Sequence, residues 1–182
     1  MNSRWVPRVP ERVSTGGLYD KIIQKQITIH PMTTIQPALK KLPEHGSCFI
    51  CGSENPHNVG LRWYVDEKGV VSSEFTLTLA QQGPPGYAHG GLSAAVLDEV
   101  MGAAIWQAGY TVAAAKIEVN YRKPVPLEKL ITTRGYITRR VKRKIYAHGE
   151  VCTPDGTILV EGKGLFVIAP QLFEGSNMFR HR

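Results

Sequence analysis

The chain carries two kinds of hydrophobic pattern, and their order predicts the architecture. Residues 90–107, GGLSAAVLDEVMGAAIWQ, are apolar on every side except for an adjacent Asp98 and Glu99. A helix that is apolar all round must be covered over most of its surface. On both sides of it the pattern changes to short, strand-like runs. Leu61 to Asp66 and Val70 to Leu79 predict two strands joined at DEKG, where Gly69 supplies the turn. Val112 to Tyr121 sets Ile117, Val119 and Tyr121 on one face and Lys116, Glu118 and Asn120 on the other. KPVP then ends that strand, since proline cannot donate to a ladder. Leu130 to Val141 predicts a long strand, and Ile145 to Cys152 and Thr157 to Ile168 flank the turn signal TPDG. The order is strand, strand, helix, then four strands, with no internal repeat. An α+β fold satisfies it, in which a strongly curved antiparallel sheet wraps one long central helix.

Outside this region the periodicity fades. Residues 1–45 mix Pro, Gly, Lys and Arg and read as a partly ordered N-terminal extension. Within it Leu18, Ile22, Ile23 and Ile27 predict one short amphipathic helix. Residues 46–170 form the globular domain, and 171–182 read as a tail.

Composition narrows the class. At 182 residues and 42% hydrophobic, the chain suits one domain with an appendage. No apolar run approaches the roughly 20 residues that span a bilayer. Arg4, Arg8 and Arg12 near the start are interrupted by Pro7 and Pro10 with no apolar stretch after them, which argues against a secretory signal. Three unevenly spaced cysteines make no disulfide framework and point to a reducing, cytoplasmic setting. The net charge of +7 favours an anionic partner. Much of it sits in RRVKRK, Arg139 to Lys144. No aromatics interleave with that run and no nucleic-acid motif accompanies it, so nucleic acid is discounted. The run reads either as a solvated strand end or as a phosphate site.

The segment HGGLSAAVLDEVMGAA resembles the signature of hotdog-fold acyl-CoA thioesterases of the PaaI-like group. There His-Gly-Gly opens the central helix and an Asp follows nine positions after the His, which is Asp98 here. VNYRKPVPL resembles the strand and turn after that helix, and CFICGSENPHNVGL the leader of a bacterial subgroup. The resemblance spans roughly residues 48–168. It implies the hotdog fold, hydrolysis of an acyl- or aryl-acyl-CoA without a cofactor, and assembly as a homodimer or a dimer of dimers. It also implies that Asp98 acts as general base on water or as nucleophile.

The residues support this chemistry on their own terms. An ionised carboxylate in an apolar helix is costly unless it is paired or kept for work. For Glu99 the sequence favours pairing with a strand Arg or Lys. For Asp98 it favours function, because Gly90 and Gly91 begin the same helix. Backbone N–H groups there lack intrahelical partners, and without a Cβ a substrate approaches closely. That makes an oxyanion site for a thioester carbonyl. His89 orients or caps this turn. Gly90 and Asp98 lie about 12 Å apart along the axis, too far for one helix to present both to one carbonyl. Two antiparallel helices across a two-fold axis would pair Gly90 of one chain with Asp98 of the other.

Two positions depart from the family. Relatives often carry Asn or Gln six residues before the His, where this chain has Gly83 with Gln82 adjacent. Many place Ser or Thr sixteen residues past the Asp, where this chain has Ala114 with Thr111 nearby. Gln82 and Thr111 are therefore candidate substrate contacts. Arg139 and Arg143, which share a face of an ideal strand, are the candidates for the phosphates of coenzyme A. The departures keep open a non-catalytic acyl-CoA-binding module, and His89 keeps open a hydratase or dehydratase. His45, Cys48, Cys51 and His57 have zinc-ligand side chains. His57 follows Cys51 too closely for the usual folded-back pair, so the reading is inert thiols and no metal.

Overall fold

The computed structural model describes residues 39–174. Seven strands make one antiparallel sheet: β1 (Lys40–Lys41), β2 (Tyr64–Val65), β3 (Val71–Thr76), β4 (Val112–Tyr121), β5 (Leu130–Val141), β6 (Lys144–Cys152) and β7 (Ile158–Ile168). Their order across the sheet is β1-β2-β3-β5-β6-β7-β4. One helix, α1 (Gly90–Gln107), lies against one face. This is the expected hotdog arrangement.

The helix and the last four strands fall where the hydrophobic pattern places them. The earlier strands are shorter, for local reasons. Thr78 caps a 3-10 turn at Leu79–Gln81, and Gln81 returns the bond to its backbone, so β3 stops at Thr76. Ahead of β2, the N–H groups of Gly60 and Leu61 donate to the Ile50 carbonyl rather than to a strand. β1 was not expected; it pairs with Tyr64 and Val65 at the sheet edge. The DEKG turn forms as predicted, with Gly69 at φ +79° and the Asp66 carboxylate accepting from the N–H groups of Lys68 and Val70. The amphipathic helix read at Leu18–Ile27 lies outside the described residues.

Glycines set how closely helix and sheet approach. Gly135 pairs with Gly149 across β5 and β6, and Gly149 pairs with Gly162 across β6 and β7. This row runs beneath α1. A Cβ on Gly135 would lie 2.7 Å from the Val100 carbonyl oxygen. On Gly149 it would lie 3.1 Å from Met101 Cγ, and on Gly162 3.2 Å from Leu97 Cδ1. The helix backbone thus rests on bare strand. Leu97, Val100, Met101 and Ile105 are fully enclosed as a result. Each such aliphatic side chain contributes on the order of 1.5–3 kcal/mol of burial.

At the far side of the sheet β4 pairs only with β7, leaving one edge unpaired among the described residues. Among those residues no helix is long and apolar enough to cross a membrane.

Gly135→Ala should destabilise the fold by about 1–3 kcal/mol, the usual cost of overpacking. Gly102→Ala is the contrast, because its Cβ would meet nothing closer than Phe166 Cε1 at 4.0 Å. It should be neutral or stabilising by up to about 1 kcal/mol through helix propensity. Urea denaturation of both variants measures the difference. Equal effects would mean that the glycine row does not set the helix approach.

Candidate active site

The loop into α1 is built almost wholly from its own backbone. Gly83 N–H donates to the Tyr87 carbonyl and Tyr87 N–H to that of Pro84, closing a tight turn with Gly86 at φ +81°. Gln82 Oε1 accepts from Gly86 N–H at 3.0 Å, so this candidate substrate contact is already engaged in shaping the loop. A Cβ on Gly83 would lie 2.8 Å from His89 Cα. This path of the loop leaves no room for a side chain at Gly83.

His89 is the N-cap of α1. Its Nδ1 accepts from Gly91 N–H at 3.0 Å, and its carbonyl accepts from Leu92 N–H. This bond divides the two glycines. Gly91 N–H is taken, while Gly90 N–H has no hydrogen-bond partner among the described residues. An N–H at the positive end of a helix, beside a missing Cβ, suits a developing oxyanion. Tyr121 braces the same spot by donating its hydroxyl to the Gly90 carbonyl at 2.9 Å. Sequence reasoning set Tyr121 on one face with Ile117 and Val119 but gave it no role.

Two turns further on, Asp98 faces a cleft of about 200 Å³. Glu99, Gly102 and Trp106 of the helix share its wall, with Thr111, Val112 and Ala114 at the start of β4, Phe166 of β7, and His45 and Cys48 from the leader loop. Thr111 and Ala114 therefore stand in one cleft with Asp98, as their spacing suggested. The Asp98 carboxylate has no hydrogen-bond or ion-pair partner among the described residues. Burial, then the charges of Glu99 and Cys48, push its pKa up to about 6. A larger, more open cleft of about 790 Å³ lies along residues 40–44 and 106–109. It holds neither Asp98 nor Gly90, so chemistry and not size selects the site.

Glu99 departs from expectation. It pairs with no strand Arg or Lys. Its Oε1 lies 2.9 Å from His45 Nδ1 and 3.2 Å from Cys51 Sγ. Burial opposes charge on His45, but hydrogen bonds to Cys48 and Glu99 outweigh it and hold the pKa up at about 9. Hydrogen bonding from Cys51 and from His45 pulls the Cys48 thiol well below the ordinary range.

A β-bulge between Ile137 and Arg139 precedes the basic run, and a turn at Lys142–Arg143 interrupts it. The turn takes Arg143 off the strand and breaks the parity that put Arg139 and Arg143 together. Arg139 pairs with Tyr146 and its guanidinium stacks on that ring, 4.3 Å from the centroid. Arg143 sits in the following turn and donates to the Ile168 carbonyl at 2.8 Å. Arg140, not singled out from sequence, pairs with the fully buried Ile145 and donates to the Tyr110 hydroxyl at 2.9 Å. Tyr110 lines the Asp98 cleft.

Residues 85–160, which include the capped helix start, Asp98 and strands β4 to β6, match the family model described as the thioesterase superfamily. Over those residues the chain is similar to the thioesterase superfamily. Acyl-coenzyme A thioesterase THEM4 of Xenopus laevis is 31% identical over 88 residues, 47% of this chain and 39% of its own length. The chain thus spans about two-fifths of the length of that curated relative. The crystal structure of a thioesterase superfamily protein, RHA08564, is 36% identical, with a TM-score of 0.65 over 66% of this chain and 60% of the other. PaaI of E. coli, from the phenylacetic acid degradation operon, shares the fold at 16% identity and a TM-score of 0.57, over 61% of this chain and 80% of PaaI. That likeness shows the fold alone, the hotdog arrangement described above.

Proposed function

We propose that the protein hydrolyses an acyl-CoA thioester, giving the free acid and the thiol of coenzyme A. The observation that carries this is Asp98, a half-buried carboxylate facing a cleft, with no partner among the described residues of its own chain. Such a group is costly to keep unless chemistry uses it. The name of the THEM4 relative supplies the substrate class.

The second half of the machinery is the Gly90 N–H. It stands eight residues before Asp98, about 12 Å along the helix. A carbonyl cannot reach both within one chain. In this reading two copies pack with their helices antiparallel, and each site takes Gly90 N–H from one chain and Asp98 from the other. The carbonyl oxygen is polarised by that N–H. Asp98 then removes a proton from the attacking water, or attacks the carbonyl itself. Thr111, in the Asp98 cleft, stands in for the hydroxyl that Ala114 cannot provide and holds the water. Arg140 at Tyr110 meets the phosphates of coenzyme A, and Arg143 in the neighbouring turn adds charge.

Asp98→Asn should fold normally and lose at least about 100-fold in thiol release, the lower end of general-base contributions. A panel of acyl- and aryl-acyl-CoAs, read by a thiol reagent, measures it. Turnover near that of the parent would remove Asp98 from the mechanism.

Shared sites predict complementation. Gly90→Val and Asp98→Asn should each be nearly inactive as homodimers. Random subunit exchange should then restore about a quarter of the capacity, one intact site in each mixed dimer. Exchange proved by mass without recovery would show that each chain works alone.

Arg140→Ala should raise KM for acyl-CoA severalfold with kcat nearly unchanged, because the nucleotide is bound alike in ground and transition states. The effect should fade with added salt and vanish for an acyl-pantetheine. Arg139→Ala, stacked away on Tyr146, should change neither constant. An equal response of the two variants would make the run a solvated edge.

A further inference from the structure

The leader loop before β2 is a folded device of its own. His45 O accepts from Cys48 N–H, and Cys48 O accepts from Gly52 N–H, both at 2.9 Å. Gly52 has no space for a side chain, since a Cβ would lie 2.2 Å from both the Gly46 oxygen and the Cys48 nitrogen. Arg62 Nη1 straps the loop by donating to the Cys51 carbonyl at 3.1 Å. The effect of this tight winding is to aim three side chains inward. His45 and Cys51 are buried, at 8% and 1% exposed. Glu99 reaches the same point from α1.

The donor atoms of His45, Cys48, Cys51 and Glu99 all lie within 4.8 Å of one another. Cys51 Sγ is 3.4 Å from His45 Nδ1 and 3.2 Å from Glu99 Oε1. Tetrahedral zinc, with bonds of about 2.0–2.3 Å, requires donors about 3.3–3.8 Å apart. Cys48 Sγ also accepts the Ile50 N–H at 3.3 Å, a bond that favours a thiolate. Among the described residues no lysine or arginine side chain pairs with Glu99 or the thiols. Four groups that bind metals well, two buried and two half-buried, are therefore gathered with only His45 to balance their charge.

We propose that His45, Cys48, Cys51 and Glu99 bind a zinc-class divalent ion that ties the leader loop to the central helix. Two thiolates and an imidazole select zinc over the hard cations. With all four donors from protein, coordination is closed and no position remains for a reactive water, which marks a structural ion. Binding displaces the remaining thiol proton and the imidazolium proton of His45, and replaces the His45–Glu99 pair with two metal bonds. The ion fixes Glu99, and hence the helical turn that carries Asp98. His57 takes no part: it is exposed, and its N–H donates to Asn55 Oδ1. This inference stands apart from the thioesterase reading, because its readout is metal and not turnover.

The test uses the full chain, purified under reducing conditions from zinc-supplemented medium. Elemental analysis should find about one zinc per chain. Replacement by cobalt(II) should give thiolate-to-cobalt charge transfer in the near ultraviolet and the strong visible bands of a tetrahedral ion. The Cys48→Ser, Cys51→Ser double variant should lose both signals and fall below about a tenth of an equivalent, whereas His57→Ala should keep them. The parent spectrum decides the matter even if the double variant does not fold. A parent protein with its three cysteines counted as thiols in denaturant, yet with no zinc and no cobalt charge transfer, would overturn the proposal. So would metal retained by the folded double variant.

Discussion

The approach of α1 to the sheet is the contact on which the rest of the molecule depends. At Gly135 the strand comes so near the helix that a Cβ would meet the Val100 carbonyl oxygen at 2.7 Å. Backbone packed on backbone leaves no slack in rotation or in register. The helix is held by glycines below and by Leu97 and Met101, which fill the space over Gly149 and Gly162. Its orientation fixes what each end presents. The N-terminus emerges beside Tyr121 of β4, where Gly90 has no side chain and an uncommitted N–H. The middle turns Asp98 and Glu99 toward the opening between β4, β7 and the leader loop. A sheet that curves round a helix buries it, but only a helix seated this closely has so few orientations that one carboxylate always meets the cleft.

How legible this was depended on the period of the signal. The helix and the long strands carry their own periodicity over many residues, so Gly90–Gln107 and Leu130–Val141 could be read with their ends. Short strands have no such redundancy. Leu61 to Asp66 looks like a strand, yet the N–H of Leu61 is claimed by Ile50, a contact made by a loop that the alternation does not describe. The basic run misled for a related reason. Parity along a strand holds only until a bulge or a turn: the bulge after Ile137 sets Arg140 opposite the buried Ile145, and the turn at Lys142–Arg143 takes Arg143 off the strand. The glycine row was present in the sequence as isolated glycines inside strand patterns, a known mark of close backbone approach. It went unread because its meaning lies across strands and not along them.

The candidate site residues divide in the same way. His89, Gly90, Gly91 and Asp98 lie within ten residues, so spacing alone gathers them. The partner of Glu99 could not be found so. His45 and Cys51 are 54 and 48 residues away and reach it only because the leader loop folds back on the helix. The clue was the loop itself, which places a histidine and two cysteines within seven residues. It wanted a fourth ligand, and His57 was the nearest candidate along the chain but not in space.

Asp98 and Glu99 show how little separates two fates. They are neighbours on one helix, about 100° apart in projection. That angle turns Glu99 onto the leader loop, where His45 and Cys51 engage it at 2.9 and 3.2 Å. It leaves Asp98 to the cleft, where burial and the negative charge beside it disfavour its ionised form. The two are also coupled: whatever neutralises Glu99 and Cys48 removes part of the field that acts on Asp98. The loop that binds one carboxylate therefore sets the electrostatics of the other. A change at the leader loop would be felt at Asp98 through charge, beyond the contact that His45 and Cys48 make as walls of the same cleft.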